Sequence, residues 1–363
     1  AAPFLPFDPK SVNVREKVYM PVLREILAQC AGDEDALREA IVTDTTVYAG
    51  SDGNLLADCA ENCRVLQINN PVLSSRDLMK IEGLHMPGLQ AKKVSLLYYK
   101  NSSLALALDR LFVACDKAYY AGANILILSD RGVDENHIAI PSLLAVSAVQ
   151  QYLVRTKRRT SLALILESGE PREVHHFATL LGYGASAVNP YLALDTIHQL
   201  INTGMLEKDY YAAVTDYNKA IIDGIVKIAS KMGISTIQSY QGSQIFEAIG
   251  ISKEVIDKYF TNTVSRVGGI SLKDIETDVD ARHTKAFDRE DLTLDSEGWH
   301  KSRSAGEHHR YNPQTIHLLQ QSTWTGNYEM FKQYTELVNQ EETGYIRSIM
   351  DFNYPEHGVP LDE

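Results

Sequence analysis

Residues Ala123-Asn-Ile-Leu-Ile-Leu-Ser-Asp-Arg-Gly132 give the clearest indication of the fold class, because they join a short apolar run to a polar turn. The apolar residues favour a strand over 124–128, and Gly122 just before it can end a preceding helix. An apolar run without alternation is typical of a strand that is buried on both faces of a parallel sheet. The stretch therefore predicts one central strand of an α/β layer.

Strands and helices alternate on both sides of this central strand. Toward the N-terminus, residues 94–99 predict a strand, and a helix capped by Ser102 or Ser103 runs to about Ala121. Toward the C-terminus the patterns predict, in order, a helix at 141–154, a strand at 161–166, a helix at 171–181, a strand at 185–189, and helices at 195–200 and 208–232. Such alternation predicts an α/β fold with a parallel sheet, here a barrel-like domain of βα units.

The strand pattern fades after Met232. Helices are expected at 241–249, 253–260, 313–321 and 327–340, and near the N-terminus at 20–31. Residues 262–312 are rich in Gly, Asp, Arg and His and are expected to form loops. The fold prediction is therefore a barrel-like α/β domain followed by a mainly helical segment.

Composition excludes several functional classes. The net charge of −12 opposes general binding to nucleic acids, whose phosphates are negative. No apolar run approaches the roughly 18 residues of a membrane span, and no signal-peptide pattern is visible, so we expect no membrane partner. Cys30, Cys59, Cys63 and Cys115 are too few for a disulfide framework in 363 residues, which favours a cytoplasmic location.

Two polar loops follow consecutive predicted strands. They are Ser129-Asp-Arg-Gly132 and Glu167-Ser-Gly-Glu170. Ligands bind at the carboxyl ends of strands in α/β folds, so these loops could face each other across a site. The alternative that we favour is structural: Asp130 pairs locally with Arg131, and the glycine makes a turn.

Two further motifs have competing interpretations. Gly182-Tyr-Gly-Ala-Ser-Ala187 fits the dinucleotide pattern G-x-G-x-x-A, but that pattern requires a strand before it and a helix after it. Here the order is reversed, which favours a simple helix-to-strand turn. The polar stretch Ser230–Tyr240 either holds a carboxylate or phosphate, or is a helix end capped by Gly233, and both interpretations stay open.

Histidines and cysteines do not form a metal-binding pattern. Adjacent histidines on a helix point about 100° apart, so they cannot easily share an ion. This applies to Glu173 with His175 and His176, and to Glu307-His-His309. Cys59 and Cys63 lack a third cysteine nearby, whereas an iron–sulfur cluster needs several thiolates. We therefore assign no catalytic, cofactor-binding or metal-ligating residue to this chain.

A resemblance to a known family rests on long words in a fixed order. They are Thr46-Val-Tyr-Ala-Gly-Ser-Asp-Gly-Asn-Leu-Leu56, Ile68-Asn-Asn-Pro-Val-Leu73, Ala123–Val133, Ile140–Val146, Glu167–Glu170, Val174–Ala178, Leu181–Ala185, Asn189–Ala193, Lys231–Thr236, Gln244–Ala248, Tyr259-Phe260 and Ser265–Gly269. In this combination the chain resembles the large subunit of glutamate synthase. The resemblance covers about residues 37–363.

The resemblance implies a division of the chain. Residues 37–205 correspond to the family's central domain, residues 206–363 to the truncated N-terminal part of its FMN domain, and residues 1–36 match weakly. In the family, an N-terminal cysteine hydrolyses glutamine, and ammonia passes through a tunnel to a barrel with FMN and a 3Fe–4S cluster. Here the first residue is Ala1, the three cluster cysteines have no counterpart, and the first FMN-binding strand would follow Glu363.

The intact family enzyme is an oxidoreductase acting on CH–NH2 donors that makes L-glutamate from glutamine and 2-oxoglutarate in ammonia assimilation. By resemblance, this chain binds no cofactor alone, links the amidotransferase and FMN sites, and has the other domains and a small electron-donating subunit as partners. The alternatives are a stand-alone, non-catalytic scaffold that binds a partner, and an independent enzyme that uses Asp130, Arg131 and Glu170. Because residues 206–363 are expected to lack their barrel, we expect part of the stripe Tyr217, Ile221, Ile225 and Ile228 to be exposed.

Overall fold

The computed structural model describes residues 43–287 except 55, 58 and the side chain of His85, residues 301–340 except 305, and residues 350, 353, 354, 356 and 358. Two compact units divide at residue 289/290, and each is described by itself. The helix expected at 20–31 lies outside the described residues. So does Cys30.

The described residues form eleven strands and eleven α-helices. The strands are β1 (Val47–Gly50), β2 (Val65–Ile68), β3 (His85–Met86), β4 (Leu89–Ser95), β5 (Leu97–Tyr99), β6 (Ile125–Ser129), β7 (His137–Ala139), β8 (Ala163–Glu167), β9 (Ala187–Asn189), β10 (Glu247–Ile251) and β11 (Val264–Ile270). The helices are α1 (Ser75–Glu82), α2 (Leu104–Tyr120), α3 (Ser142–Arg155), α4 (Val174–Gly182), α5 (Tyr191–Asn202), α6 (Tyr210–Lys231), α7 (Ile237–Tyr240), α8 (Lys253–Tyr259), α9 (Leu272–Phe287), α10 (Pro313–Thr325) and α11 (Tyr328–Asn339).

A five-stranded sheet forms the centre of the first unit, in the order β3-β4-β6-β8-β9. The last four strands are parallel and lie side by side in chain order, while β3 pairs with β4 in antiparallel fashion. The expected α/β fold with a parallel sheet is therefore confirmed. The register aligns Ser129 with Glu167, so equivalent positions of β6 and β8 end at the same edge.

The core lies on both faces of this sheet, as the unbroken apolar run at 125–128 predicts. Alternate side chains of β6 and β8 point to opposite faces. Leu126, Leu128, Leu164 and Leu166 belong to the larger cluster, which includes residues of α2, α3, α4 and α6. Ile125, Ile127, Ala163 and Ile165 belong to a second cluster with Ala49 of β1 and two residues of α1. The sheet is thus covered on both faces.

Several local predictions are confirmed. Ser103 caps α2, because its side chain accepts a hydrogen bond from the backbone N–H of Leu106. The helices expected at 141–154, 208–232, 253–260 and 327–340 are present as α3, α6, α8 and α11 within two residues. The strand expected at 94–99 is instead divided between two sheets: β4 belongs to the central sheet, and β5 pairs with β7.

Two predictions beyond Met232 are wrong. Residues 247–251 are not helical, since β10 pairs there with β11 in a two-stranded parallel sheet. Residues 262–312 are not all loop, because they contain β11 and the sixteen-residue helix α9. Short apolar runs fit a helix and a strand equally well by periodicity, and here the pairing of two distant segments decides the outcome.

The expectation of an exposed stripe on α6 is also wrong. Ile221 and Ile225 are buried at 4% and 0% exposure, and Tyr217 and Ile228 pack against the same core cluster. The partner surface includes α4, where Val174 approaches Gly224 of α6. The surface that covers this stripe was expected from an absent barrel, but other elements of the first unit supply it.

The second unit contains α10 and α11, which pack against each other. Asn312 caps α10 and Asn327 caps α11 through their side-chain oxygens. Neither helix buries a large apolar side chain fully. None of the helices in the described part of the chain has the length and apolar character needed to cross a membrane.

Candidate functional site

The two polar loops singled out in the sequence meet at the carboxyl end of the sheet. They follow β6 and β8, which are neighbours, and the backbone N–H of Asp130 donates to the carbonyl of Glu167 at 3.2 Å. Their side chains, with Lys93 of β4 and Tyr191 of α5, form a group that we call the strand-end cluster. The two loops therefore lie side by side, as the less favoured of the two interpretations of the sequence requires.

Asp130 is one of three carboxylates in the strand-end cluster, and it is 4% exposed. It accepts hydrogen bonds from the Ser168 hydroxyl at 2.5 Å and from the Gly169 backbone N–H at 3.1 Å. Burial raises the pKa of Asp130 above its usual value, and the hydrogen bonds from Ser168, Tyr191 and Gly169 offset only part of this rise. Asp130 is thus a buried acid whose donors come from the next strand's loop and from α5.

Glu167 is the second carboxylate, and its side chain is 6% exposed. It accepts from the Ser129 hydroxyl at 2.6 Å and from Arg131 Nε at 2.9 Å, and Lys93 Nζ lies 3.2 Å away. Burial acts to raise the pKa of Glu167, but the hydrogen bonds from Ser129, Arg131 and Lys93 outweigh it, so the pKa is lowered. Glu167 is therefore held as a carboxylate between two cations.

The favoured local pairing of Asp130 with Arg131 is wrong. Arg131 reaches across to Glu167 and stacks on Tyr191, with its guanidinium carbon 3.9 Å from the ring centroid. Adjacent residues of an extended segment point to opposite sides, so each side chain finds its partner on a different element. The expected turn is present, since Gly132 has a φ of +100°.

Glu170 has a structural partner of its own. Its carboxylate accepts from the backbone N–H of Ser142 at 2.7 Å and from the Ser142 hydroxyl. Ser142 begins α3, so Glu170 caps the unsatisfied N–H groups of that helix. The strand-end cluster therefore ties β4, β6, β8, α3 and α5 together at one edge of the sheet.

The remaining sequence motifs have structural roles. Gly182–Ala187 joins the end of α4 to the start of β9, which confirms the helix-to-strand order. His176 caps α4: its Nδ1 accepts from the backbone N–H of Arg172 at 3.1 Å. Within the described residues, no three side chains of His, Cys, Asp or Glu are grouped to hold a metal ion.

The cysteines differ in their surroundings. Cys59 and Cys63 are exposed at the ends of the short 3-10 helix Ala60–Cys63, and Cys115 is buried in α2. Burial raises the pKa of Cys115 to about 12, which leaves this thiol protonated near neutral pH.

The polar stretch Ser230–Tyr240 ends α6 and starts α7. Gly233 has a φ of +72° after the helix, as expected of a cap. The backbone N–H of Asp44 donates to the Ser235 carbonyl at 2.8 Å, and Thr236 Oγ1 caps α7. These contacts support the helix-end interpretation for most of the stretch. Gln238, however, lines a polar cavity.

Sequence reasoning missed this cavity, which has a volume of about 190 Å³ and lies at the amino end of the sheet. Its lining residues are Tyr48, Gly50, Asp52, Gln150, Arg159, Ala163, Ser186, Gln238 and Gln241. They come from five separate segments, so no local motif links them. Arg159 ends the basic run Arg155-Thr-Lys-Arg-Arg159 just before a predicted strand, so the sequence does not single it out.

Comparison with known proteins gives a consistent result. The family model described as "Glutamate synthase central domain" matches residues 26–252. The glutamate synthase [NADPH] large chain of Bacillus subtilis is 44% identical over 330 residues, which are 91% of this chain and 22% of that protein.

Two further relatives are similar over most of this chain. The glutamate synthase [NADH] of Schizosaccharomyces pombe is 34% identical over 354 residues, covering 94% of this chain and 17% of that protein. Ferredoxin-dependent glutamate synthase 2 of Synechocystis is 35% identical over 355 residues, covering 91% of this chain and 23% of that protein. The chain thus spans about a fifth of the length of these curated relatives.

Proposed function

Because the chain belongs to the glutamate synthase family, we propose that it is one segment of a glutamate synthase large subunit. The intact subunit would be an oxidoreductase of amino-acid biosynthesis that makes L-glutamate from glutamine and 2-oxoglutarate in ammonia assimilation. The observation that carries this proposal is the match to the family's central domain over residues 26–252. The names of the three relatives carry three different electron donors, so the donor is left open.

The role proposed for this segment is to connect the amidotransferase and the FMN site and to hold them at a fixed distance. The strand-end cluster supports this role, because its carboxylates bind donors from several elements and stiffen one edge of the sheet. A stiff wall beside the ammonia tunnel would keep water out and so prevent the ammonia from being protonated. The parallel strands in chain order support the view of the central sheet as part of a barrel.

The family resemblance implies FMN and a 3Fe–4S cluster for the intact subunit. The described residues do not fit the cluster: they contain three cysteines, of which Cys59 and Cys63 are exposed and Cys115 is buried in a separate core. We therefore propose that both cofactors are held by other parts of the large subunit. These parts and a small electron-donating subunit are the proposed partners, in the cytoplasm.

We also propose the division that the resemblance implies, with the family's central domain over residues 37–205 and the beginning of its FMN domain over residues 206–363, although the family model itself extends past both bounds to residues 26–252. The close packing of α6 on α4 and α5 means that the described residues of the second segment within the first compact unit share one core with the first segment. A connector whose own segments share one core transmits position better than a flexible linker does.

An experiment with the 363-residue chain tests the proposal. Purified chain mixed with FMN and desalted should be colourless, and it should form no glutamate from glutamine and 2-oxoglutarate with any of the three donors. A yellow protein with stoichiometric flavin, or glutamate formation by the chain alone, would contradict the assignment of a connecting role.

A further inference from the structure

The polar cavity at the amino end of the sheet lies at the opposite end from the strand-end cluster. Ala163 begins β8 and Ser186 directly precedes β9, whereas Glu167 and Asn189 end these strands. The cavity and the cluster are therefore separate features. The cavity volume of about 190 Å³ is enough for a small polar molecule.

Arg159 provides the positive charge of this cavity. Its Nε donates to Gln150 Oε1, its Nη1 to the Leu162 carbonyl at 2.7 Å, and its Nη2 to the Gly184 carbonyl at 3.3 Å. A guanidinium has five N–H donors, so two remain after these three bonds. Among the residues that the structure describes, no carboxylate forms an ion pair with Arg159. The three bonds fix the guanidinium but leave its charge without a direct counterion.

Gln241 provides an unused donor in the same cavity. Its side-chain Nε2 is buried and has no hydrogen-bond partner within the described residues. Buried amide groups nearly always have a partner, because losing water without replacing its hydrogen bonds is costly. Gln238, three residues before Gln241 in the chain, also lines the cavity. Its side chain is exposed, so it can turn toward a bound ligand. The cavity therefore offers a guanidinium and two side-chain amides.

Asp52 provides the negative charge. It lines the same cavity, is exposed, and its charge acts to raise the pKa of Arg159 against the lowering effect of burial. A simple anion at Arg159 would be repelled by Asp52, and a simple cation at Asp52 would be repelled by Arg159. A molecule that carries both charges satisfies both residues, which selects an occupant with a carboxylate and an ammonium group.

We propose that this cavity binds a free α-amino acid with a polar side chain. The carboxylate of the ligand pairs with Arg159, its ammonium group faces Asp52, and its side chain accepts a hydrogen bond from Gln241. Gln150 and Gly184 position Arg159 and do not touch the ligand. This proposal stands apart from the glutamate synthase assignment, because it rests only on the residues that line the cavity.

Three matched probes separate the contributions of the two charges. L-Asparagine carries both charges and a side-chain amide, succinamate is the same molecule without the ammonium group, and 3-aminopropanamide is the same molecule without the carboxylate. Calorimetric titration of the 363-residue chain should show that L-asparagine binds at least about tenfold more tightly than either of the other two. If succinamate binds as tightly as L-asparagine, the proposal is overturned in favour of a plain anion site. If L-asparagine does not bind at 10 mM, a concentration on the order of weak amino-acid affinities, the proposal is overturned in favour of a cavity filled by water.

Variants then connect binding to this cavity. Gln241→Met removes an amide that has no partner, so it should leave the fold intact and weaken L-asparagine binding about tenfold. Gln67→Met is the control, since Gln67 is an exposed glutamine that lines a different cavity, and it should leave affinity unchanged.

Asp52→Asn gives a result that a structural role alone would not produce. It should weaken L-asparagine and strengthen succinamate, so that the preference between the two probes falls to about twofold or less. An unchanged preference in Asp52→Asn, or an unchanged affinity in Gln241→Met, would contradict the proposed binding mode.

Discussion

Gly184→Ala is expected to destabilise the chain, because the added methyl group has neither a suitable backbone conformation nor space. Gly184 has a φ of +114°, which L-residues rarely adopt. A Cβ atom there would lie 2.5 Å from Gln150 Oε1, 2.7 Å from Gln150 Cδ and 3.0 Å from Gln150 Cγ. Gln150 cannot move away freely, since its Oε1 accepts from Arg159 Nε.

The expected magnitude combines three contributions. Backbone strain costs about 1–3 kcal/mol, and displacing a hydrogen bond to a charged group costs about 1.5–3 kcal/mol. Reduced freedom of the unfolded chain returns about 0.4–1 kcal/mol. We therefore expect the free energy of unfolding to fall by about 2–5 kcal/mol in urea denaturation followed by circular dichroism.

Gly204→Ala is the matched control. Gly204 has a φ of +73°, and a Cβ atom there would have no neighbour within 4 Å. It should lose only the backbone strain of about 1–3 kcal/mol, offset by the same gain of about 0.4–1 kcal/mol from the unfolded chain. Equal losses in the two variants would refute the contact with Gln150. If that contact is real, combining Gly184→Ala with Gln150→Ala should cost at least about 1 kcal/mol less than the sum of the single changes.

Three further predictions follow from the packing. Gly224→Ala should destabilise the chain by about 1–2 kcal/mol despite the higher helix propensity of alanine, because its Cβ would lie 2.5 Å from Val174 Cγ2. Adding Val174→Ala to the same chain should restore stability, and thermal unfolding measures both variants. The absence of this rescue would contradict the close crossing of α4 and α6. Glu167→Gln should lower the free energy of unfolding by about 1–2 kcal/mol at pH 7. This is less than the usual cost of breaking a buried ion pair, because Lys93 and Arg131 are 36% and 45% exposed and water screens their charges. The folded-state pKa of Glu167 lies below 4.5, so the stability that its charge contributes is complete above pH 4.5 and is lost as the pH falls through the folded-state pKa. Urea titrations should therefore show the stability difference between Glu167→Gln and the parent shrinking below pH 4.5. A difference that grows there would contradict this assignment. Amide hydrogen exchange should be slow in α8, where Val255, Ile256 and Tyr259 are buried, and faster in α11, which buries no residue. Faster exchange in α8 than in α11 would contradict the described burial.

The sequence predicts the central sheet well, because its strands are short apolar runs separated by capped helices. It also predicts that the loops after β6 and β8 meet, since parallel neighbours end at the same edge. It does not predict that Arg131 pairs with Glu167 instead of Asp130, because side-chain direction after a strand depends on the local backbone. That partner lies 36 residues away.

Long-range pairing explains the other differences. The strand β10 is a short apolar run of ambiguous periodicity, and its pairing with β11 is parallel with two register shifts. The cavity around Arg159 gathers residues from 48 to 241, so neither spacing nor composition reveals it. The burial of the α6 stripe was missed because a pattern identifies an apolar face but not the surface that covers it.

The most direct test of the proposed connecting role uses a glutamate synthase large subunit that carries this chain as its central segment, and it measures the ratio of glutamine hydrolysed to 2-oxoglutarate reduced. Glu167→Gln loosens the strand-end cluster by removing one of its carboxylate charges. Glu61→Gln is the control, because Glu61 is an exposed residue paired with Arg64 at 3.9 Å. The account predicts a ratio near one in the parent and the control, and a clear rise in Glu167→Gln as ammonia escapes. An unchanged ratio in a Glu167→Gln subunit that has lost stability as predicted would contradict the proposal that this segment couples the two reaction centres.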